Sequence, residues 1–173
     1  MLEVIKMKNL EHDIQKALKK AVRYKINVLF SYSFRFDTRD LLPILSHPSD
    51  KNKVRVYWDQ PSEGFSFAGL GSVLEASSIE HTSSEEIKNF ISSTMKRAVS
   101  ISDNSLIGPR VIGGYAFSDY TGSDTTWNDF PRKYFVLPEC LGTSTDDGTW
   151  LTISRMIAPD ELLRNIKNEF IKT

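Results

Sequence analysis

Residues 26–36 alternate more cleanly than any other stretch of this chain. Ile26, Val28, Phe30, Tyr32, Phe34 and Phe36 share one side, and Asn27, Leu29, Ser31, Ser33 and Arg35 share the other. A period of two places these sets on opposite faces of a β-strand, and β-branched and aromatic residues suit a pleated surface. An aromatic row can serve as a base-stacking platform, but basic residues do not accompany this one. It is expected to form a sheet face lying under a helix.

A second alternation runs through Val54, Val56 and Trp58 and resumes at Phe65, Phe67 and Gly69. Gln60 to Gly64 between them supplies Pro, Ser and Gly, which ease a reversal of the chain. The pattern predicts a hairpin with Trp58 in register with Val54 and Val56, hence largely buried. Gly69 and Gly71 on either side of Leu70 predict a tight bend or a close backbone approach.

Helices punctuate these strands. Residues 9–24 place Ile14, Leu18, Ala21 and Val22 on an apolar stripe, with Lys16, Lys19, Lys20 and Arg23 mostly facing away. Ser83 and Glu86 have capping-box spacing and start a helix whose stripe is Ile87, Phe90, Ile91, Thr94, Met95 and Ala98. Pro159-Asp160-Glu161 is expected to open a last helix carrying Leu162, Leu163, Ile166 and Phe170. Asp40-Leu41-Leu42 leads into a Pro-bounded loop reaching Asp50, and residues 99–107 read as loop. Val111 to Phe117 reads as a strand, its Gly113-Gly114 marking a bulge or close packing. Ser118 to Asn128 reads as a mobile polar loop. Lys133 to Leu137 and Thr149 to Ile153 read as strands, with Asp146-Asp147-Gly148 as a turn between them. Trp58, Trp127 and Trp150 each lie beside a strand and are expected to anchor the core. The fold class expected is α+β, antiparallel hairpins covered by about three helices, in one domain over residues 1–173.

Composition narrows the function classes. Lys plus Arg and Asp plus Glu both number 22, so the net charge is zero. That argues against a basic nucleic-acid surface. Cys140 is the sole cysteine, which leaves no intrachain disulfide or thiolate cluster and suits a reducing compartment. No apolar run reaches the length of about 20 residues that spans a bilayer, and no secretory signal is visible at the N-terminus. A cytoplasmic protein, binding neither membrane nor nucleic acid, is the expectation.

Chemistry-bearing residues are scattered. His12, His47 and His81 stand apart in sequence, without metal-ligand spacing. Gly69-Leu70-Gly71 lacks the third glycine of a dinucleotide loop, and Gly113-Gly114 lacks the Lys-Ser or Lys-Thr of a phosphate loop. The pairs Glu85-Glu86, Asp146-Asp147 and Asp160-Glu161 fall at helix starts and a turn, where dipole and turn preferences account for them. No residue is therefore nominated as catalytic, substrate-binding or metal-ligating.

Four ordered segments carry a resemblance. YWDQPSEGFSFAGLG (Tyr57 to Gly71), GPRVIGGYAFSD (Gly108 to Asp119), WNDFP (Trp127 to Pro131) and YFVLPE (Tyr134 to Glu139) resemble the N-terminal portion of isochorismate synthases, of the menaquinone-pathway type. These belong to the chorismate-utilising enzymes, with anthranilate and salicylate synthases. The resemblance implies a reaction in which a lysine activates water for attack on chorismate and a glutamic acid protonates the departing hydroxyl. Glutamate-held magnesium neutralises the substrate carboxylate. Those groups are implied for a C-terminal chorismate-binding region, so no cofactor is expected in this chain itself. Lys167 and Lys172 do not sit in the family's lysine context. The Leu-Leu-Glu-Ser stretch of the anthranilate-synthase feedback site is replaced by Asp40-Leu41-Leu42-Pro43, so an allosteric tryptophan site is not expected. Two readings stand: a structural portion of an isochorismate synthase, inactive alone and partnered by the C-terminal region, or a free-standing binding module with the same fold. The first reading leaves apolar surface or a sheet edge uncovered and predicts homodimers, whereas a strict monomer would favour the second.

Overall fold

The computed structural model describes residues 2–46, 53–78, 83–102, 107–116 and 131–172. The expectations for the loop Ser118 to Asn128, for Trp127, and for His47 and His81 lie outside the described residues. A six-stranded sheet forms the body. Its strands are β1 (Val28–Phe36), β2 (Arg55–Gln60), β3 (Phe65–Leu70), β5 (Val99–Ile101), β8 (Cys140–Thr145) and β9 (Gly148–Ile157), in the order β2-β3-β8-β9-β1-β5. A three-stranded sheet joins β4 (Leu74–Ser78), β7 (Lys133–Leu137) and β6 (Ile112–Tyr115), in the order β4-β7-β6. All pairings are antiparallel except β1 with β5. The helices are α1 (Leu2–Tyr24), the short α2 (Leu42–Leu45), α3 (Ser84–Arg97) and α4 (Leu163–Lys172). The α+β expectation holds. Among the described residues no helix is long and apolar enough to cross a membrane.

The alternation in residues 26–36 places β1 beside β9, paired from Val28↔Ile157 to Phe36↔Thr149. Val28 and Phe30 face Leu10, Ile14, Ala17 and Ala21 of α1 and Ile166 of α4, all buried in one cluster. The Phe30 ring meets Phe170 edge-on, with centroids 5.2 Å apart. The opposite face is buried too. Leu29 packs with Leu74 and Leu137 of the small sheet and with Ile91 and Met95 of α3. Beside it, Ser31 bonds Ser154 at 2.9 Å and Ser33 bonds Thr152 at 2.8 Å. These cross-strand hydroxyl pairs satisfy each other, so the polar residues of that face are buried without an open desolvation cost.

Local signals were largely correct. Ser83 accepts from the Glu86 N–H at 3.1 Å while the Glu86 carboxylate accepts from the Ser83 N–H at 2.7 Å, a complete capping box. The hairpin forms with Trp58↔Phe67 in register, turning through a 3-10 segment at Pro61–Glu63 and Gly64 at φ 59°. Gly71, at φ 73°, makes the expected bend in a region that L-residues avoid. Asp146-Asp147 is a turn, closing β8 onto β9 at Thr145↔Gly148.

Several expectations are corrected. Trp58 is 55% exposed; among the described residues β2 is the outer strand, with only β3 beside it. Val22 is 54% exposed. Ala17 takes its place, and at about 100° per residue Val22 lies roughly 140° round the helix from it. Phe90 of α3 is likewise exposed, while Ile91, Met95 and Ala98 pack on the Leu29 cluster. The last helix starts at Leu163, not at Pro159. The Glu161 carboxylate accepts from the Ala158 N–H at 2.8 Å and completes a turn there, leaving Leu162 exposed. Within 99–107, Val99–Ile101 is a strand. β4 and β8 were unread as strands: Cys140–Thr145 stands between Leu137 and the Asp146 turn. The Asp40 loop contains α2, started by the Asp40 carboxylate accepting from the Leu42 N–H at 3.0 Å. Trp150, in contrast, is buried as expected and carries Arg35 over its ring at 5.2 Å.

Burial ranks two aromatic truncations. Phe30→Ala should cost about 3–5 kcal/mol, and Trp58→Ala in dilute solution less than about 1 kcal/mol. Urea titrations of the two variants check this; equal losses would contradict the assignment of β2 to the sheet's outer edge.

Candidate functional site

The segments that carry the resemblance converge. Gly69 of β3 lies against Pro138, where an added Cβ would come within 2.6 Å of the proline ring. Gly71 lies against the Glu139 carboxylate, with the corresponding approach at 2.5 Å. Arg110 stacks over Phe65 at 5.5 Å from the ring centroid. Gly113 of β6 is held against the Tyr134 carbonyl and Phe135 so closely that any side chain there would overlap the backbone. Tyr115 and Phe135 meet edge-on at 5.1 Å. Segments 57–71, 108–116 and 134–139 thus pack on one another. Of WNDFP only Pro131 is among the described residues.

A cleft of about 360 Å³ opens where β8 begins and β9 runs on past it. Lys53, Val73, Glu139, Ser154, Arg155 and Glu169 are among its lining residues. Lys53 pairs with Glu139 at 2.9 Å. Arg155 lies between two carboxylates, Glu161 at 2.7 Å and Glu169 at 2.9 Å. The sequence reading missed Lys53, Arg155 and Glu169. The available signal was Arg155 itself, a cation inside the otherwise uncharged strand Gly148–Ile157.

Beside the cleft, Cys140 has its thiol pushed up to about 11, first by burial, then by the Glu139 charge, with Lys53 opposing weakly. A thiol so raised stays protonated at neutral pH and is a poor nucleophile. On the small sheet, Tyr134 donates to the Glu75 carboxylate at 3.1 Å; burial and then that carboxylate hold its hydroxyl above the usual tyrosine range.

The remaining candidate groups are engaged structurally. Glu86 caps α3. Glu161 bonds both Arg155 and the Ala158 N–H. Lys167 pairs with Glu11 at 2.6 Å. The Asp147 carbonyl accepts from Arg35. His12 is exposed on α1. The side chain of Lys172 lies outside the described residues. Among the described residues no three His, Cys, Asp or Glu side chains come together to hold a metal.

Comparison with known proteins adds the family. The chorismate binding enzyme model matches residues 16–173. Isochorismate synthase MenF of Bacillus subtilis (strain 168) is 26% identical over 157 residues, covering 86% of this chain and 33% of that protein. The solved structure of MenF, the menaquinone-specific isochorismate synthase from Escherichia coli, is similar over 93% of this chain and 34% of its own, at 17% identity and a TM-score of 0.46. The chain thus spans about a third of the length of these relatives. The family model covers most of the chain, and the chain belongs to the chorismate binding enzymes.

Proposed function

We propose that residues 1–173 form the N-terminal framework portion of an isochorismate synthase of the menaquinone pathway. This portion is inactive until joined by a C-terminal chorismate-binding region. The observation that carries the reading is the mutual packing of the motifs. The segments that resemble the isochorismate synthases serve here to seat strand on strand, Gly69 on Pro138 and Gly113 on Tyr134. The likeness to a third of the Bacillus subtilis enzyme supports it.

Isomerising chorismate requires a base to activate water, an acid to protonate the leaving hydroxyl, and a positive charge facing the carboxylate. The described residues do not fit a magnesium ion. Glu161 and Glu169 converge on Arg155, and a cation placed between them would meet the guanidinium. Glu139 is likewise neutralised by Lys53. The role proposed for this chain is to hold the sheet on which the second region completes the site. In the proposal, the base, acid and metal ligands belong to that region, and the setting is cytoplasmic, in keeping with a reduced, half-buried Cys140.

Two measurements follow from this. Purified residues 1–173 mixed with chorismate and magnesium should yield no isochorismate by chromatography, and activity should appear when the separately expressed chorismate-binding region is added. Turnover by residues 1–173 alone would overturn the proposal. An unreactive mixture whose two components are both folded would favour a free-standing binding module. Gly113→Ala, by forcing a Cβ into the Tyr134 carbonyl, should cost about 1–3 kcal/mol in a thermal melt. An unchanged melting temperature would show that the motif contact is not structural.

A further inference from the structure

Two hydroxyl pairs sit where β1 meets β9. The Ser154 N–H bonds the Glu139 carbonyl at 2.8 Å, on the side away from β1. Ser154 and Ser31 therefore oppose each other at a non-hydrogen-bonded position of the β1–β9 ladder, and Thr152 and Ser33 do the same two residues along. At such positions side chains come closest. Ser31 and Thr152 are fully buried, and Ser33 and Ser154 nearly so. The hydroxyls bond across the strands at 2.9 Å in the first pair and 2.8 Å in the second.

The apolar pattern alone leaves this register open. A shift of one residue turns every side chain to the other face and is excluded by burial. A shift of two is not. Val28, Phe30 and Tyr32 stay on the face that receives α1 and α4. α1 can travel with the strand, because Leu10, Ile14, Ala17 and Ala21 recur about once per 5.4 Å turn, close to the two-residue strand rise of about 6.6 Å. The turn at Asp146-Asp147-Gly148 fixes β9 against β8, and β5 lies on the far side of β1, so neither sets β1 against β9. The hydroxyls distinguish the alternatives. Shifted one way, Ser31 faces Thr152, but Leu29 covers Ser154 and Trp150 covers Ser33. Shifted the other way, Ser33 faces Ser154 and Thr152 faces Arg35, but Met156 covers Ser31. Only the observed register pairs all four hydroxyls with one another. A buried hydroxyl without a partner disfavours its register by roughly fivefold to a hundredfold.

We propose that the Ser31–Ser154 and Ser33–Thr152 pairs select the register of β1 on β9. The consequence reaches beyond the two strands. This register sets Phe30 against Phe170 of α4, with centroids 5.2 Å apart, and brings Glu11 of α1 to Lys167 of α4 at 2.6 Å. The same two pairs therefore decide how α1 meets α4. None of this rests on the catalytic reading above.

One substitution and its rescue test it by NMR on residues 1–173. The unmodified chain should give one set of β1 amide resonances, with Hα contacts from Ser31 to Ser154 and from Ser33 to Thr152. Ser31→Ala strands the Ser154 hydroxyl in the observed register. It also removes the stranded hydroxyl from the register that sets Ser33 against Ser154. That register should gain at least about fivefold in population and appear as a second set with a Ser33–Ser154 Hα contact. Adding Ser154→Ala frees the observed register of its stranded hydroxyl and leaves Ser33 unpaired in the shifted one. The double variant should therefore return to a single set with the Ser33–Thr152 contact. Serines that merely fill space predict lower stability in Ser31→Ala and no new contact. Ser31→Ala spectra with only the Ser33–Thr152 contact overturn the proposal. If Ser31→Ala does not fold, the double variant decides: folding with the Ser33–Thr152 contact supports the pairs, and failure to fold overturns them.

Discussion

The pairing of β1 with β9 is the contact on which the rest of the molecule depends. It runs from Val28↔Ile157 to Phe36↔Thr149 and brings together segments as much as 129 residues apart. Its two faces carry different loads. On one, Phe30 and Ile157 receive α1 and α4 in a single apolar cluster. On the other, Leu29 and Met156 receive the small sheet and α3. Burying both faces removes the apolar side chains of β1 from water on each side, which is where most of the favourable free energy of such a fold arises. The strand can carry serines at 31 and 33 only because β9 offers Ser154 and Thr152 at hydrogen-bonding distance.

From that pair the sheet grows outward, and its character changes as it does. β8 and β3 are still covered, with Gly142 lying against Leu41 and Ile44 and Gly69 against Pro138. At β2 the cover ends, and aromatic side chains face solvent. Segments 57–71, 108–116 and 134–139 lie along this gradient. They stitch the hairpin to the small sheet, so their residue types answer to backbone proximity and ring stacking. A glycine that lets two strands touch is exacting in residue type without being reactive.

Charge follows the same division. The ion pairs at the cleft, Lys53 with Glu139 and Arg155 with Glu161 and Glu169, set two cations against three carboxylates. Arg155 ties the end of β9 to α4 and to the turn before it, which fixes how that helix lies on the sheet. Partly exposed pairs contribute modestly to stability, and their value here is positional.

Much was legible from the sequence because it was local. The hairpin at 55–70, the capping box at Ser83 and Glu86, the αL bend at Gly71 and the turn at Asp146 each depend on residues within a few positions of one another. Their backbone preferences act whatever the rest of the chain does. What only tertiary structure decided was which faces are covered. Trp58 has the alternation of a buried residue, yet β2 ended at the rim of the sheet and left it in water. Val22 and Phe90 are apolar on helices whose contact stripes fell elsewhere. The short strands β4, β5 and β8 carry weak patterns of their own and exist because a partner strand lies alongside. Periodicity states which side chains share a face; the order of strands in the sheet, a long-range outcome, determines whether anything lies against it.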